Sequence, residues 1–141
     1  MKTKPQNKTY RNYVESAWTP SKKTREILNP FNGEPIAFAA ESGKKDIEDA
    51  VAAARVAFDR GPWRESTAQQ RGRVLFAMAE LVRKNASMLA ELETRNCGKP
   101  IVESEFDIND TASCFEYYGG LATKIHGETL PVPDNAINMS A

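Results

Sequence analysis

The chain has 141 residues, 40% of them hydrophobic, and 19 Lys plus Arg balance 19 Asp plus Glu. Such a length accommodates one packed domain of ordinary size, and the charge balance excludes recognition of nucleic acid, a membrane surface or a strongly acidic partner through a global field. The polar, basic stretch from Met1 to Lys8 has no apolar run behind it, so neither a secretory signal nor a membrane span is predicted, and a cytoplasmic location is expected.

Residues 1–9 are poor in apolar side chains and are expected to form a mobile tail. The β-favouring stretches Tyr10 to Val14 and Ala17 to Thr19, and then Thr24 to Leu28 ending at Asn29-Pro30, carry strand and turn signals. Asn32-Gly33 predicts a type I′ turn, which needs positive φ at both central residues, ahead of the apolar run Pro35 to Ala40. A small antiparallel sheet follows from these features.

From Asp46 onward the apolar period changes. Ile47, Ala50, Val51, Ala54, Ala57 and Phe58 recur three and four apart, predicting a helix over 45–59 that Gly61-Pro62 breaks. Ser66 and Gln69 have capping-box spacing for the next helix, whose buried face is expected at Val74, Leu75, Met78, Leu81 and Val82. Asn85 is expected to cap a third helix through Met88, Leu89 and Leu92, which Gly98 and Pro100 end. A final helix is predicted over 101–125, and Thr129 to Pro133 must be extended because residues before proline avoid the helical region. This last stretch suits an edge or crossing strand. The sequence has no glycine-rich dinucleotide fingerprint and no phosphate-binding loop. Its helices present wide apolar faces while its strands are few and short, so a sheet for those helices to cover is missing from the chain.

Several residues carry chemistry worth weighing. Asp107 and Asp110 are three apart on the last predicted helix, with Glu103 one turn earlier, and form a local acidic cluster. Taken alone, such a cluster is more often a solvated helix face than a site. Tyr117 and Tyr118 point about 100° apart on a helix and cannot both face one ligand, so core packing is expected. Cys97 and Cys114 lack metal-ligand spacing, a neighbouring base and a glycine-rich elbow. They read as reduced, packed or cap-adjacent thiols, not as nucleophiles or a disulfide. His126, the single histidine, is expected in the last turn of a helix before Gly127, where its charged form would suit the negative helix end. Without a second histidine, a metal site or acid–base dyad built around it is not expected.

The series Leu28-Asn29-Pro30, Asn32-Gly33-Glu34, Ala50-Val51-Ala52-Ala53-Ala54, Asn96-Cys97-Gly98-Lys99-Pro100 and Lys124-Ile125-His126-Gly127-Glu128, in that order between Tyr10 and about Pro133, resembles the aldehyde dehydrogenase family. The resemblance implies an α/β fold class: the N-terminal part of the aldehyde dehydrogenase fold, small antiparallel β hairpins followed by a cluster of α-helices, without the Rossmann-like core. Residues 10–141 would then be the N-terminal segment of the coenzyme-binding domain, with 129–141 leading into the oligomerisation strand region. The catalytic domain, with its cysteine nucleophile and general-base glutamate, would lie further along. The complete enzyme so implied uses NAD or NADP to oxidise an aldehyde to the acid by cysteine attack, hydride transfer and glutamate-assisted hydrolysis, as a homodimer or homotetramer. The chain alone is expected to be inactive; the alternative is a non-catalytic truncated chain serving as an interaction or oligomerisation module.

Within the family, Asp107, Asp110, Ala112-Ser113-Cys114 and Tyr117-Tyr118 are similar to the betaine aldehyde and aminoaldehyde dehydrogenase branch. There the corresponding helix borders the substrate channel and its carboxylates attract the cationic end of the aldehyde. The physics supports that role, because a partly desolvated carboxylate attracts a cation more strongly than one in bulk water. Asp107 is also common in members without cationic substrates, so Asp110 carries more of the specificity. The resemblance further implies a structural potassium or sodium ion at the carbonyls of Ile27 and Leu28 and at position 96. Asn96 stands where the family has an aspartate, and an amide oxygen can coordinate a cation but brings no charge to offset it.

Overall fold

Strand-type alternation gives way to helical periodicity at Gly43, and the computed structural model, which describes residues 8–133 and 135–140, divides there. Five strands come first: β1 (Thr9–Tyr10), β2 (Asn12–Val14), β3 (Ala17–Thr19), β4 (Lys23–Leu28) and β5 (Pro35–Glu41). Five helices follow: α1 (Lys44–Arg60), α2 (Pro62–Glu65), α3 (Ala68–Lys84), α4 (Ala86–Cys97) and α5 (Ile101–Leu121). A short ribbon, β6 (Thr129–Leu130) with β7 (Asn138–Met139), closes the order. No helix among the described residues is long and apolar enough to cross a membrane.

The first sheet is mixed, not purely antiparallel as expected. β4 runs antiparallel to β5, and β1 adds to the other edge of β5 in parallel, with Thr9 opposite Phe38. The Lys8 carbonyl also accepts the Phe38 N–H at 3.0 Å. Of the tail expected over 1–9, residues 1–7 lie outside the described residues, whereas Lys8 and Thr9 are held by this pairing.

The type I′ signature is not at Asn32-Gly33. It lies between β2 and β3, where Glu15 and Ser16 have φ of 52° and 61° and Val14 pairs with Ala17. The twist of paired strands demands that geometry in a two-residue connection, even from residues that seldom adopt it. Between β4 and β5, only Gly33 has positive φ, at 69°. The Asn29 Oδ1 accepts the Phe31 N–H, the Asn32 Oδ1 accepts the Glu34 N–H, and the Asn29 carbonyl accepts the Gly33 N–H at 2.8 Å. These asparagine side chains stabilise a longer loop and remove the need for a two-residue turn.

The helix caps also moved by a residue. The Gln70 N–H donates to Thr67 Oγ1 at 3.2 Å and the Thr67 N–H donates to Gln70 Oε1 at 2.7 Å. The expected Ser66–Gln69 box does not form because the Ser66 hydroxyl donates to the Trp63 carbonyl at 2.6 Å, closing the unexpected single turn of α2. Asn85 does not cap α4 with its side chain; its Nδ2 donates to the Leu81 carbonyl at 2.8 Å and satisfies the end of α3 instead.

The core is built on small residues. Gly72 of α3 meets Gly119 of α5, Ala79 and Ala112 are fully buried on the same two helices, and Ala90 and Ala37 are buried as well. Ser104, fully buried, shares a 2.8 Å hydrogen bond with the Thr94 hydroxyl, which meets the demand of a buried polar group. Arg83 and Glu116 form an ion pair across the same α3–α5 contact. The close approach turns α3 so that Leu75 and Val82 are half-buried, while Val74 and Leu81 stay 45% and 59% exposed and Met78 is exposed too. The expected apolar face is therefore split. In α1 the apolar stripe is open except at half-buried Ala50, with Phe58 70% exposed and no residue fully buried. The accessible surface is 11789 Å², against roughly 7300 Å² for a compact monomer of this mass.

α5 ends at Leu121, four residues short of the predicted end, where the Lys124 N–H donates to the Leu121 carbonyl at 2.8 Å. Gly119 and Gly120 weaken the last turn, since glycine loses the most backbone freedom in a helix. Thr129 and Leu130 are extended as expected, and the pairing stops before Pro131.

Candidate functional site

Helical spacing on α4 puts Leu89, Leu92, Glu93 and Asn96 on one face, and α5 adds Asp107, Ile108 and Thr111 opposite it. With Tyr10 of β1, Ile27 of β4, and Ile36 and Ala37 of β5, these residues line a groove of about 520 Å³ between the sheet and the two helices. Its walls are apolar and its charged groups gather where α4 hands over to α5.

That handover is set by backbone geometry. Gly98 ends α4 in the left-handed region at φ 79°, and a Cβ there would stand 2.9 Å from Pro30 Cγ. The turn delivers Lys99 between the helices, where its Nζ donates to Glu93 Oε1 at 2.6 Å and to Asp107 Oδ2. Asp107 first, and Glu93 after it, hold the Lys99 ammonium well above the usual lysine range. This three-member cluster was not predicted, because Glu93, Lys99 and Asp107 sit six and eight residues apart and meet only when α4 packs on α5. The signal that could have found it is the lysine pinned between a helix-ending glycine and Pro100.

Asp107 and Asp110 do not act as a matched pair. Asp107 lines the groove and is bonded to Lys99. Asp110 lies about 60° further round the helix, is exposed, and has no ion-pair or hydrogen-bond partner among the described residues. Tyr117 and Tyr118 are not core residues: they are 66% and 59% exposed and stack edge to face at 5.2 Å. The buried line of α5 runs through Ser104, Ala112 and Gly119 and leaves both tyrosines outside it.

Of the positions implied for a monovalent cation, Ile27 and Asn96 reach the same groove, whereas Leu28 is 48% exposed beyond a register shift in β4. The set supplies carbonyls and a neutral amide, and the carboxylates beside it are already bonded to Lys99. A monovalent cation held here would therefore rest on neutral oxygens alone, as carbonyl-built potassium sites do. No group of three or more His, Cys, Asp or Glu suited to a metal occurs among the described residues. The positive-φ glycines among the described residues, Gly33 and Gly98, lie in a strand connection and at a helix end, not in a turn leading from a strand into a helix.

Cys97 is exposed and donates through Sγ to the Glu93 carbonyl at 3.0 Å, next to the helix cap as expected. Cys114 is exposed, not packed. Neither thiol is hydrogen-bonded to a side-chain base among the described residues. His126 lies beyond the end of α5, so the helix-end argument for it does not apply.

A sequence model of the "Aldehyde dehydrogenase family" matches residues 18–141. The chain is 42% identical over 127 residues to betaine aldehyde dehydrogenase of Bacillus subtilis, covering 87% of the chain and 26% of that relative. It is 48% identical over 125 residues to aldehyde dehydrogenase family 2 member B4, mitochondrial, of Arabidopsis thaliana, covering 88% and 23% respectively. Among solved structures, an NAD-dependent aldehyde dehydrogenase from Sinorhizobium meliloti superposes with a TM-score of 0.84 at 30% identity over 89% of the chain and 26% of that structure. Betaine aldehyde dehydrogenase from Staphylococcus aureus in complex with NAD+ gives 0.83 at 40% identity over 89% and 25%. The chain thus spans about a quarter of the length of the relatives it matches.

Proposed function

The chain belongs to the aldehyde dehydrogenase family and has the architecture of the N-terminal part of that fold, and we propose on that premise that it is the first segment of an NAD(P)-dependent enzyme oxidising a cationic aldehyde to the carboxylic acid. Betaine aldehyde or an aminoaldehyde is the substrate class. The observation that carries the substrate class is Asp110, an exposed carboxylate on α5 without a partner among the described residues. A free carboxylate beside a substrate path lowers the energy of an approaching cation, and the 40% and 42% identity to betaine aldehyde dehydrogenases supports that assignment. NAD, when bound to the complete enzyme, accepts the hydride; residues 10–141 contribute to the coenzyme domain without holding the nucleotide. In this reading the complete enzyme is cytoplasmic and a homodimer or homotetramer, with residues 129–141 leading toward the subunit contact.

The test is steady-state kinetics of the complete enzyme with Asp110→Ala. The Michaelis constant for betaine aldehyde should rise several-fold while that for a neutral aldehyde of similar length stays close to wild type. Equal changes for both would reduce Asp110 to a surface residue and remove the basis for a cationic substrate.

The open apolar stripe of α1 and the exposed face of α3 favour a second reading, a non-catalytic chain that associates through these surfaces. Sedimentation of the isolated chain separates the two: a discrete oligomer that unfolds cooperatively supports an interaction module, and concentration-dependent aggregation supports a segment lacking its covering layer.

A further inference from the structure

Asn32-Gly33 is the single Asn-Gly pair in the sequence, and neither the groove nor the proposed chemistry uses it. We propose that Asn32 is a site of spontaneous covalent modification gated by the β4–β5 loop: the closed loop blocks its cyclisation onto Gly33, and opening of the loop lets it convert to aspartate and isoaspartate. The chemistry needs only water. The Gly33 nitrogen gives its proton to solvent and attacks Asn32 Cγ; the N–Cγ bond forms, the Cγ–Nδ2 bond breaks, and Nδ2 leaves as ammonia. Water then opens the succinimide ring at either carbonyl, with no oxidation or reduction. A following glycine hinders this attack least because it carries no Cβ. Here Asn32 and Gly33 are both exposed, and a Cβ on Gly33 would meet nothing within 4 Å, so solvent reaches the pair on the folded surface.

Hydrogen bonding opposes what sequence and exposure favour. The proton that must leave is the one the Gly33 N–H donates to the Asn29 carbonyl at 2.8 Å. The leaving nitrogen, Asn32 Nδ2, donates to Glu34 Oε2 at 3.1 Å, and Asn32 Oδ1 accepts the Glu34 N–H at 3.0 Å, so the amide is held at both ends. The bond to Oδ1 by itself polarises the carbonyl toward attack, but the attack cannot begin while the Gly33 nitrogen keeps its proton. The Asn29 N–H donates to the Glu34 carbonyl at 2.8 Å and closes the loop around the pair. Cyclisation must break the bonds of the Gly33 N–H and of Nδ2, and each slows it by about fivefold. Conversion then works against reclosure. A carboxylate at position 32 would face the Glu34 carboxylate where Nδ2 had donated, and isoaspartate would lengthen the main chain of a loop whose Pro30 lies against Gly98.

The test follows the peptide containing residues 29–34 by mass spectrometry after incubation of the complete enzyme at mildly alkaline pH, folded and in urea. Conversion appears as a gain of one mass unit, with isoaspartate resolved by its elution. The folded enzyme should convert about thirtyfold more slowly than the unfolded one, about fivefold for each of two net hydrogen bonds. Glu34→Ala, which removes the acceptor of Nδ2 from an exposed side chain, should speed conversion of the folded enzyme about fivefold and leave the rate in urea within twofold. Glu34→Gln, whose side-chain oxygen can accept the same bond, should stay close to native. Equal rates in the folded and unfolded enzyme, or faster conversion when folded, overturn the gate without recourse to any variant. Folded Glu34→Ala converting at the native rate, or Glu34→Gln converting well below it, overturns the hold assigned to Glu34, the second result making its carboxylate a base for the reaction. None of these readouts depends on which aldehyde the enzyme oxidises.

Discussion

A Cβ placed on Gly72 would stand 2.7 Å from the carbonyl oxygen of Gly119, so α3 and α5 cross backbone against backbone. The reverse substitution is also tight, with a Cβ on Gly119 falling 3.2 Å from the Gly72 carbonyl oxygen. This contact sets the rotation of both helices. It decides which apolar side chains are buried and brings Arg83 to Glu116.

Gly72→Ala should therefore destabilise the protein by about 1–3 kcal/mol, the usual cost of forcing an added methyl into a packed contact. The general gain in helix propensity for alanine, about 1 kcal/mol, opposes only part of it. Urea unfolding monitored by circular dichroism measures the difference. A stabilised variant would mean that the helices stand further apart than the crossing described above.

Gly98→Ala combines a left-handed backbone with a contact on Pro30. The backbone term alone is about 1–2 kcal/mol, and relief of the contact would shift the turn that carries Lys99. The expected outcome is a loss of stability in urea with a measurable change in the Lys99 environment by NMR. Unaltered stability would show that the turn yields without strain.

The Arg83 guanidinium holds the Glu116 carboxyl below the ordinary glutamate value of 4.5. A group whose folded-state value is depressed contributes stability that is fully present above the unfolded value and is lost as pH falls through the folded one. The contribution of this pair should thus be complete above about pH 5 and fade below 4.5. Both side chains are more than 40% exposed, so salt should reduce it as well. Chemical denaturation across pH 3 to 6 should show a shallower acid loss in Glu116→Gln than in the native protein; parallel curves would mean the pair is inconsequential.

The isolated 141-residue chain should show no aldehyde-dependent reduction of NAD, because among the described residues no side-chain base is bonded to Cys97 or Cys114, and the sequence carries no glycine-rich dinucleotide fingerprint. Absorbance of the reduced coenzyme at fixed aldehyde and NAD is the readout. Turnover that persists in Cys97→Ser/Cys114→Ser, with contaminating enzyme excluded, would overturn the assignment of the chemistry to residues outside this chain.

The ordered motifs from Leu28 to Glu128 were enough to expect the family and the N-terminal part of its fold, and local signals located β3, β4, β5 and the four long helices within a few residues, while β1 and β2 were read as one stretch. Such features were legible because they depend on neighbours three or four positions away, or on backbone preferences such as the glycine at φ 79° that stops α4. Tertiary packing decided what local chemistry could not. The pairing of β2 with β3 drew the positive-φ turn to Glu15 and Ser16, while asparagine side chains relieved Asn32-Gly33 of that task. Gly72 meeting Gly119 across 47 residues rotated α3 and exposed Val74 and Leu81, which helical periodicity alone had marked for burial. The difference between Asp107 and Asp110 arises in the same way. Their spacing was visible in the sequence, but the lysine that bonds one and not the other reaches it only through the contact of α4 with α5, because an ion pair depends on distance in space and not on distance along the chain.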